Sequence, residues 1–74
     1  MAYDYNKLLG RIIEKFSTQG HFAEKMEVSE RSLSLKLNGK RPFKQGEITR
    51  ACQLLEIDDA EIPAYFFTLK VQNN

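Results

Sequence analysis

Apolar residues fall at helical spacing over the first part of the chain. Tyr5, Leu8, Leu9, Ile12, Ile13 and Phe16 recur in steps of three and four, with Lys7, Arg11, Glu14 and Lys15 between them. That spacing predicts an amphipathic helix, with Asp4 placed to cap its N-terminus. Gly10 falls inside it at a cost of about 1 kcal/mol relative to alanine and would permit close approach of another helix. Ser17-Thr18 ends the apolar pattern, and either hydroxyl could cap the next helix.

A second, short helix is predicted over Gln19–Met26, with Phe22, Ala23 and Met26 on its inner face. Glu27-Val28 then makes a tight turn. Ser29 is a good N-cap for a third helix reaching Leu37, in which Val28, Leu33 and Leu37 point inward together. Asn38-Gly39, residue types that accept a left-handed backbone, should end it. Lys40-Arg41-Pro42-Phe43-Lys44 is a connecting loop: Pro42 blocks a helix there, and Phe43 anchors the loop on the core. A fourth helix is predicted over Gln45–Leu55, with Ile48, Cys52 and Leu55 as its stripe and Ala51 and Leu54 beside it. Asp58-Asp59-Ala60-Glu61 has acids where a helix start favours them. Pro63 should push Ile62 out of helical conformation, so the helix either restarts at Pro63 or stays marginal.

The last stretch, 65–72, is aromatic and β-branched with partial alternation, which fits an extended strand or a continued helix. Four compact helices would struggle to bury Tyr65, Phe66, Phe67, Leu69 and Val71 together. Surplus apolar area at a terminus often marks an interface, so a dimer contact is expected there, with packing on the first helix as the alternative. The fold class is therefore all-α: four to five compact helices in one domain spanning 1–74, with a tail at 67–74 that can be extended.

The second and third helices with their tight turn form the pattern of a helix-turn-helix at about 19–38, a unit that lays its second helix in the DNA major groove. Composition bears on this reading only through its distribution. The chain has 74 residues and a formal net charge of +1. Arg31, Lys36, Lys40, Arg41, Lys44 and Arg50 cluster in the middle, opposed by Glu47 alone, and Glu56, Asp58, Asp59 and Glu61 come after them without a basic residue. The basic cluster is either a phosphate-facing surface or a solvated face, and charge alone leaves both open. A single cysteine, Cys52, permits no internal disulfide and fits a reducing cytosol. No apolar run approaches the ~20 residues needed to span a bilayer. Met1-Ala2-Tyr3-Asp4 lacks a signal-peptide pattern, so a cytoplasmic protein is expected.

Gln19, Phe22-Ala23, Val28-Ser29, Leu33-Ser34, Leu37-Asn38-Gly39-Lys40-Arg41-Pro42 and Ile48…Leu54-Leu55 together resemble the lambda-repressor-like, Cro-type helix-turn-helix domains of phage and bacterial regulators. The match runs over about 8–57. The chain looks like a small single-domain phage or prophage regulator, a group that includes Cro-like repressors and modulators of a lysis–lysogeny switch. The resemblance implies that Gln19 and Asn38 contact DNA phosphates, that Lys40, Arg41 and Lys44 track the DNA backbone, and that Glu30, Arg31, Ser32 and Leu35 face base edges; the Lys36 stem would cover the core edge while its amine reaches a phosphate. The chemistry is compatible: an arginine near the start of such a helix can hold guanine in a bidentate pair, and leucine can pack on a thymine methyl. Glu30 could accept from a cytosine amino group, complement the helix dipole or orient Arg31. Two departures stand out. Glu27 occupies a turn position where glycine is usual, and Lys36 one where many members are apolar. The chain also lacks the larger C-terminal domain of full-length phage repressors, so self-cleavage is not expected.

The function expected first is a sequence-specific DNA-binding transcriptional regulator, a Cro-like repressor binding double-stranded DNA as a homodimer on paired half-sites. The alternative is a protein-interaction module that modulates or sequesters another phage repressor. An enzyme is not expected, because no carboxylate pair, cysteine–histidine pair or phosphate-binding glycine loop is evident. No cofactor or metal is implied, since His21 stands without a second ligand-type cluster.

Overall fold

Helix α1, Asn6–Phe16, begins where Asp4 Oδ1 accepts a hydrogen bond from the Asn6 N–H at 2.8 Å. The computed structural model describes residues 3–71. Tyr5, Leu8 and Ile12 are buried along one side of α1, whereas Ile13 remains 45% exposed. The apolar stripe is wider than the surface that the other helices cover, so its margin stays in solvent. Gly10 lies on the open side, with nothing within 4 Å of where a Cβ would stand. The close approach expected there occurs at Gly20 instead, where a Cβ would meet the Glu30 carboxylate at 3.1 Å.

Helix α2 is Gln19–Met26 and helix α3 is Glu30–Leu37. Of the two candidate caps it is Thr18 that serves α2, its hydroxyl accepting from the His21 N–H at 3.1 Å. Ser29 serves α3, accepting from the Ser32 N–H at 3.0 Å. Each satisfies an N–H that has no partner within its helix. Between them Glu27 takes φ 61° and ψ 38°, the left-handed conformation that disfavours a side chain. The Val28 N–H then donates back to the Ala23 carbonyl at 3.1 Å, which closes α2 and aims the chain into α3.

Helix α4, Gln45–Leu55, buries Ala51, Cys52 and Leu55 and ends at Glu56 with φ 55°. Arg11 ties α1 to that end, its Nε donating to the Leu55 carbonyl at 3.0 Å. A single 3-10 turn, Asp59–Glu61, runs into the short helix α5, Ile62–Phe66. Pro63 does not expel Ile62 from helical geometry: Ile62 has φ −53° and ψ −46°. The proline sits in the first turn of α5, where its missing N–H leaves no helical bond unmade.

The tail divides at Phe67. Tyr65 and Phe66 complete α5 and are buried, at 9% and 1% exposure, while Phe67, Leu69 and Val71 are 48%, 49% and 85% exposed. Tyr65 and Phe66 are therefore core residues and cannot serve the expected dimer contact. Their burial is possible because α5 lies against α1, where the Lys7 ammonium stands 4.9 Å from the centre of the Tyr65 ring. Beyond α5 the chain is extended, with one antiparallel bridge between Tyr3 and Leu69 and an Asp4 N–H bond to the Thr68 carbonyl at 2.7 Å. Residues 72–74 of the expected tail contact lie outside the described residues. Among the described residues there is no other strand pairing, and no helix is long and apolar enough to cross a membrane. Among the described residues the architecture is all-α, five α-helices around a core whose fully buried centre is Leu8, Ile12, Phe22, Leu33, Leu55 and Phe66.

Candidate interaction site

The outer side of α3 carries fewer available polar groups than its sequence offers. Glu30 and Arg31 are exposed, while Ser32 and Leu35 are half-buried. The Glu30 carboxylate is turned toward Gly20, so it lies near the positive ends of both α2 and α3. Asn38 is turned onto its own helix, its Nδ2 donating to the Ser34 carbonyl at 2.9 Å. Gln19 opens α2 and is half-buried. Of the six central cations, Arg50 is engaged by the fold, its guanidinium donating to the Lys25 carbonyl of α2 at 3.3 Å.

Lys36 differs most from its expected role. Its side chain is 9% exposed, and its ammonium is bonded to the Glu47 carboxylate, itself 19% exposed. Glu47 also accepts from the Lys44 N–H at 2.9 Å, so one carboxylate joins α3 to the first turn of α4. Burial works against ionisation of Glu47 more than any other single influence. The hydrogen bonds from Lys36 and Lys44 and the charges of both lysines together outweigh it and hold the carboxyl below its ordinary range. Lys36 is thus a structural cation, unavailable to a phosphate. Burial, helped by the nearby charge of Asp59, pushes the Cys52 thiol up, as suits a thiol packed in the core.

Two of the remaining cations, Lys40 and Arg41, border a groove. Lys40 and Arg41 come directly after Gly39, whose φ of 76° turns the chain sharply off α3. Their backbone N–H groups donate to the Leu35 carbonyl at 2.8 and 3.3 Å, folding the loop back on the helix end. Beneath them opens a groove of about 390 Å³, walled by Tyr3, Tyr5, Phe43, Ile48, Phe66 and Phe67, with Gly39, Lys40, Arg41 and Pro42 along one side. Its rings meet edge to face: Tyr5 and Phe43 at 5.2 Å, Phe43 and Phe66 at 5.4 Å, Tyr3 and Phe67 at 5.7 Å. Lys40 and Arg41 are exposed, and neither forms an ion pair among the described residues. Lys44 is exposed at the start of α4. Of the groove residues, the sequence offered Lys40, Arg41, Phe66 and Phe67 as candidate site residues, and not Tyr3, Tyr5, Phe43 or Ile48. The one signal for Tyr3 was an aromatic residue standing just ahead of the first apolar stripe.

A model of the family described as "Protein of unknown function (DUF739)" matches residues 1–69. No curated protein matches the chain. Among solved structures, the chain is similar to the modulator of repression (MOR) of the temperate bacteriophage TP901-1 from Lactococcus lactis. The two are 51% identical, the match covers 97% of each chain, and the TM-score is 0.80. This finding corrects the resemblance to Cro-type repressors and the expectation of a Cro-like DNA-binding repressor: the similar protein is a modulator of repression. The physical reason is visible in α3. A helix pair with the right turn fixes a backbone arrangement, but what its outer face recognises depends on which side chains remain free, and here Lys36 and Asn38 are spent on the fold itself.

Proposed function

The chain belongs to the family described as Protein of unknown function (DUF739), and from that premise we propose that it is a modulator of repression that acts by binding a protein, the repressor of a temperate phage or prophage, in the cytoplasm. The observation that carries this reading is its end-to-end likeness to a phage modulator of repression. The arrangement of charge supports it. Lys36 is neutralised within the fold, Glu30 shares the exposed face with Arg31, and net charge is only +1. Such a surface gives a weak field for a polyanion and suits a protein partner better.

The test is to mix the purified chain with the repressor of the same phage or prophage and monitor complex formation by calorimetry and light scattering. A complex of fixed stoichiometry, with a change in the repressor's affinity for its operator, is the expected result. In a selection from random duplex DNA the chain alone should enrich no site. Recovery of a palindromic site by the chain alone, with no repressor complex, would overturn the reading.

A further inference from the structure

The groove between the N-terminal segment, the loop after α3 and the end of α5 combines two properties. It is walled by aromatic rings that remain open to solvent at Tyr3 and Phe67, 39% and 48% exposed. Its charged lining residues are Lys40 and Arg41, both cations, with no carboxylate among the residues that line it. An aromatic-walled space of about 390 Å³ lies in the size range of pockets that take a few side chains of a ligand. It strips water from whatever enters, and two unpaired cations at its side then attract negative charge through a lower dielectric than bulk water provides.

We infer that this groove is the docking site for an acidic segment of a protein partner, with an apolar side chain seated among Tyr3, Phe43 and Phe67 and its flanking carboxylates on Lys40 and Arg41. The occupant is set by charge complementarity. A basic or neutral segment would leave the two cations unanswered, and a DNA backbone would meet the cations but bring no apolar group for the rings. The groove is also well supported. Gly39 fixes the course of the loop, the Leu35 carbonyl holds the Lys40 and Arg41 backbone, and the Tyr3–Leu69 bridge fixes the opposite wall. Binding there would need little ordering of the protein. The inference deepens the proposed function and rests on it for the identity of the partner as a repressor.

Two probes test it separately. The first is a short blocked peptide in which Asp and Glu flank one Phe, compared with the same peptide carrying Lys in place of the acids and with a random duplex DNA. Amide resonances of the labelled protein are recorded during each titration. The acidic peptide should move the amides of Tyr3, Gly39, Lys40, Phe43 and Phe67 and leave those of Glu30 and Arg31 in place. Equal movement with the Lys peptide, or movement with DNA alone, would overturn the inference. The second probe is the repressor. The charge-reversed pair Lys40→Glu and Arg41→Glu should weaken its binding by at least about tenfold, with a shallower salt dependence. Phe67→Ala should weaken it without changing the helical signal. A repressor that binds these variants as tightly as wild type would overturn the groove assignment and leave the modulator reading standing. A repressor that ignores the wild-type chain would overturn the modulator reading, and the peptide titration would still decide the groove.

Discussion

Lys36 of α3 and Glu47 of α4 form an ion pair that is mostly withdrawn from solvent, the two side chains being 9% and 19% exposed. The Lys44 N–H donates to the same carboxylate, so three chain positions depend on it. Removing one partner from such a pair strands the other in a medium that solvates it poorly. Glu47→Ala should therefore cost about 3 kcal/mol of unfolding free energy, because it leaves the more deeply buried ammonium alone. Lys36→Met should cost less, about 2 kcal/mol, since Glu47 keeps the Lys44 N–H and some solvent. The double variant should recover part of the loss, with a coupling of at least about 1 kcal/mol between the sites in urea unfolding. Strict additivity would mean that the pair contributes nothing in solution.

The same carboxylate predicts an acid limb in the stability profile. The folded pKa of Glu47 lies below its ordinary value near 4.5, so the unfolded chain binds more protons between the two values. The stabilisation is complete above the ordinary value and is lost as pH falls through the folded one. Glu56, lowered by its hydrogen bond from Lys15, adds a contribution of the same sign. Melting temperature measured from neutral to acid pH should fall steeply in wild type and less steeply in Glu47→Gln. Identical slopes would dissociate the acid transition from this residue.

Glu27 holds a left-handed backbone at φ 61° with an exposed side chain that makes no ion pair among the described residues. A side chain in that region costs about 1–2 kcal/mol, and glycine returns part of that gain as greater freedom in the unfolded chain. Glu27→Gly should thus raise stability by about 0.5–1 kcal/mol. Glu56→Gly, at the comparable φ of 55°, should give a smaller gain because it also removes the contact with Lys15. Chemical denaturation of both variants checks the order.

The division of the C-terminal segment predicts sharply different responses from adjacent residues. Phe66→Ala should cost about 3–5 kcal/mol, since the ring is 1% exposed and packs edge-on against Phe43. Phe67→Ala should cost less than about 1 kcal/mol, because half its surface is already in water. Comparable losses at the two positions would mean that Phe67 is buried in solution by a contact within the chain or between copies.

The course of the chain was largely legible from local pattern. The stripe Tyr5, Leu8, Ile12, the caps Thr18 and Ser29, the turn at Glu27 and the stop at Asn38-Gly39 are all local. A helix boundary depends on which side chain can reach an N–H three residues away and on which residue tolerates positive φ. The apolar spacing of α1 did not show that Ile13 would stay in solvent, and reading Pro63 as a breaker misjudged Ile62. In both cases a neighbouring element decided: the packing helices cover only one side of α1, and the 3-10 turn delivers the chain to Pro63 already helical.

Sequence by itself determined the order of the first four helices, the tight α2–α3 pairing and the candidates for the core. Those arise from periodicity and capping, which act over a few residues. Tertiary structure alone decided what the exposed chemistry is free to do. It placed Glu47 under Lys36 from eleven residues away and converted an expected phosphate ligand into a strut. It folded Tyr65 and Phe66 inward while leaving Phe67 out, and it brought Tyr3 from the start of the chain beside Phe67 to wall a groove that Lys40 and Arg41 border. Charge and apolar area are properties of residues, but their availability depends on long-range neighbours, and no local pattern encodes those.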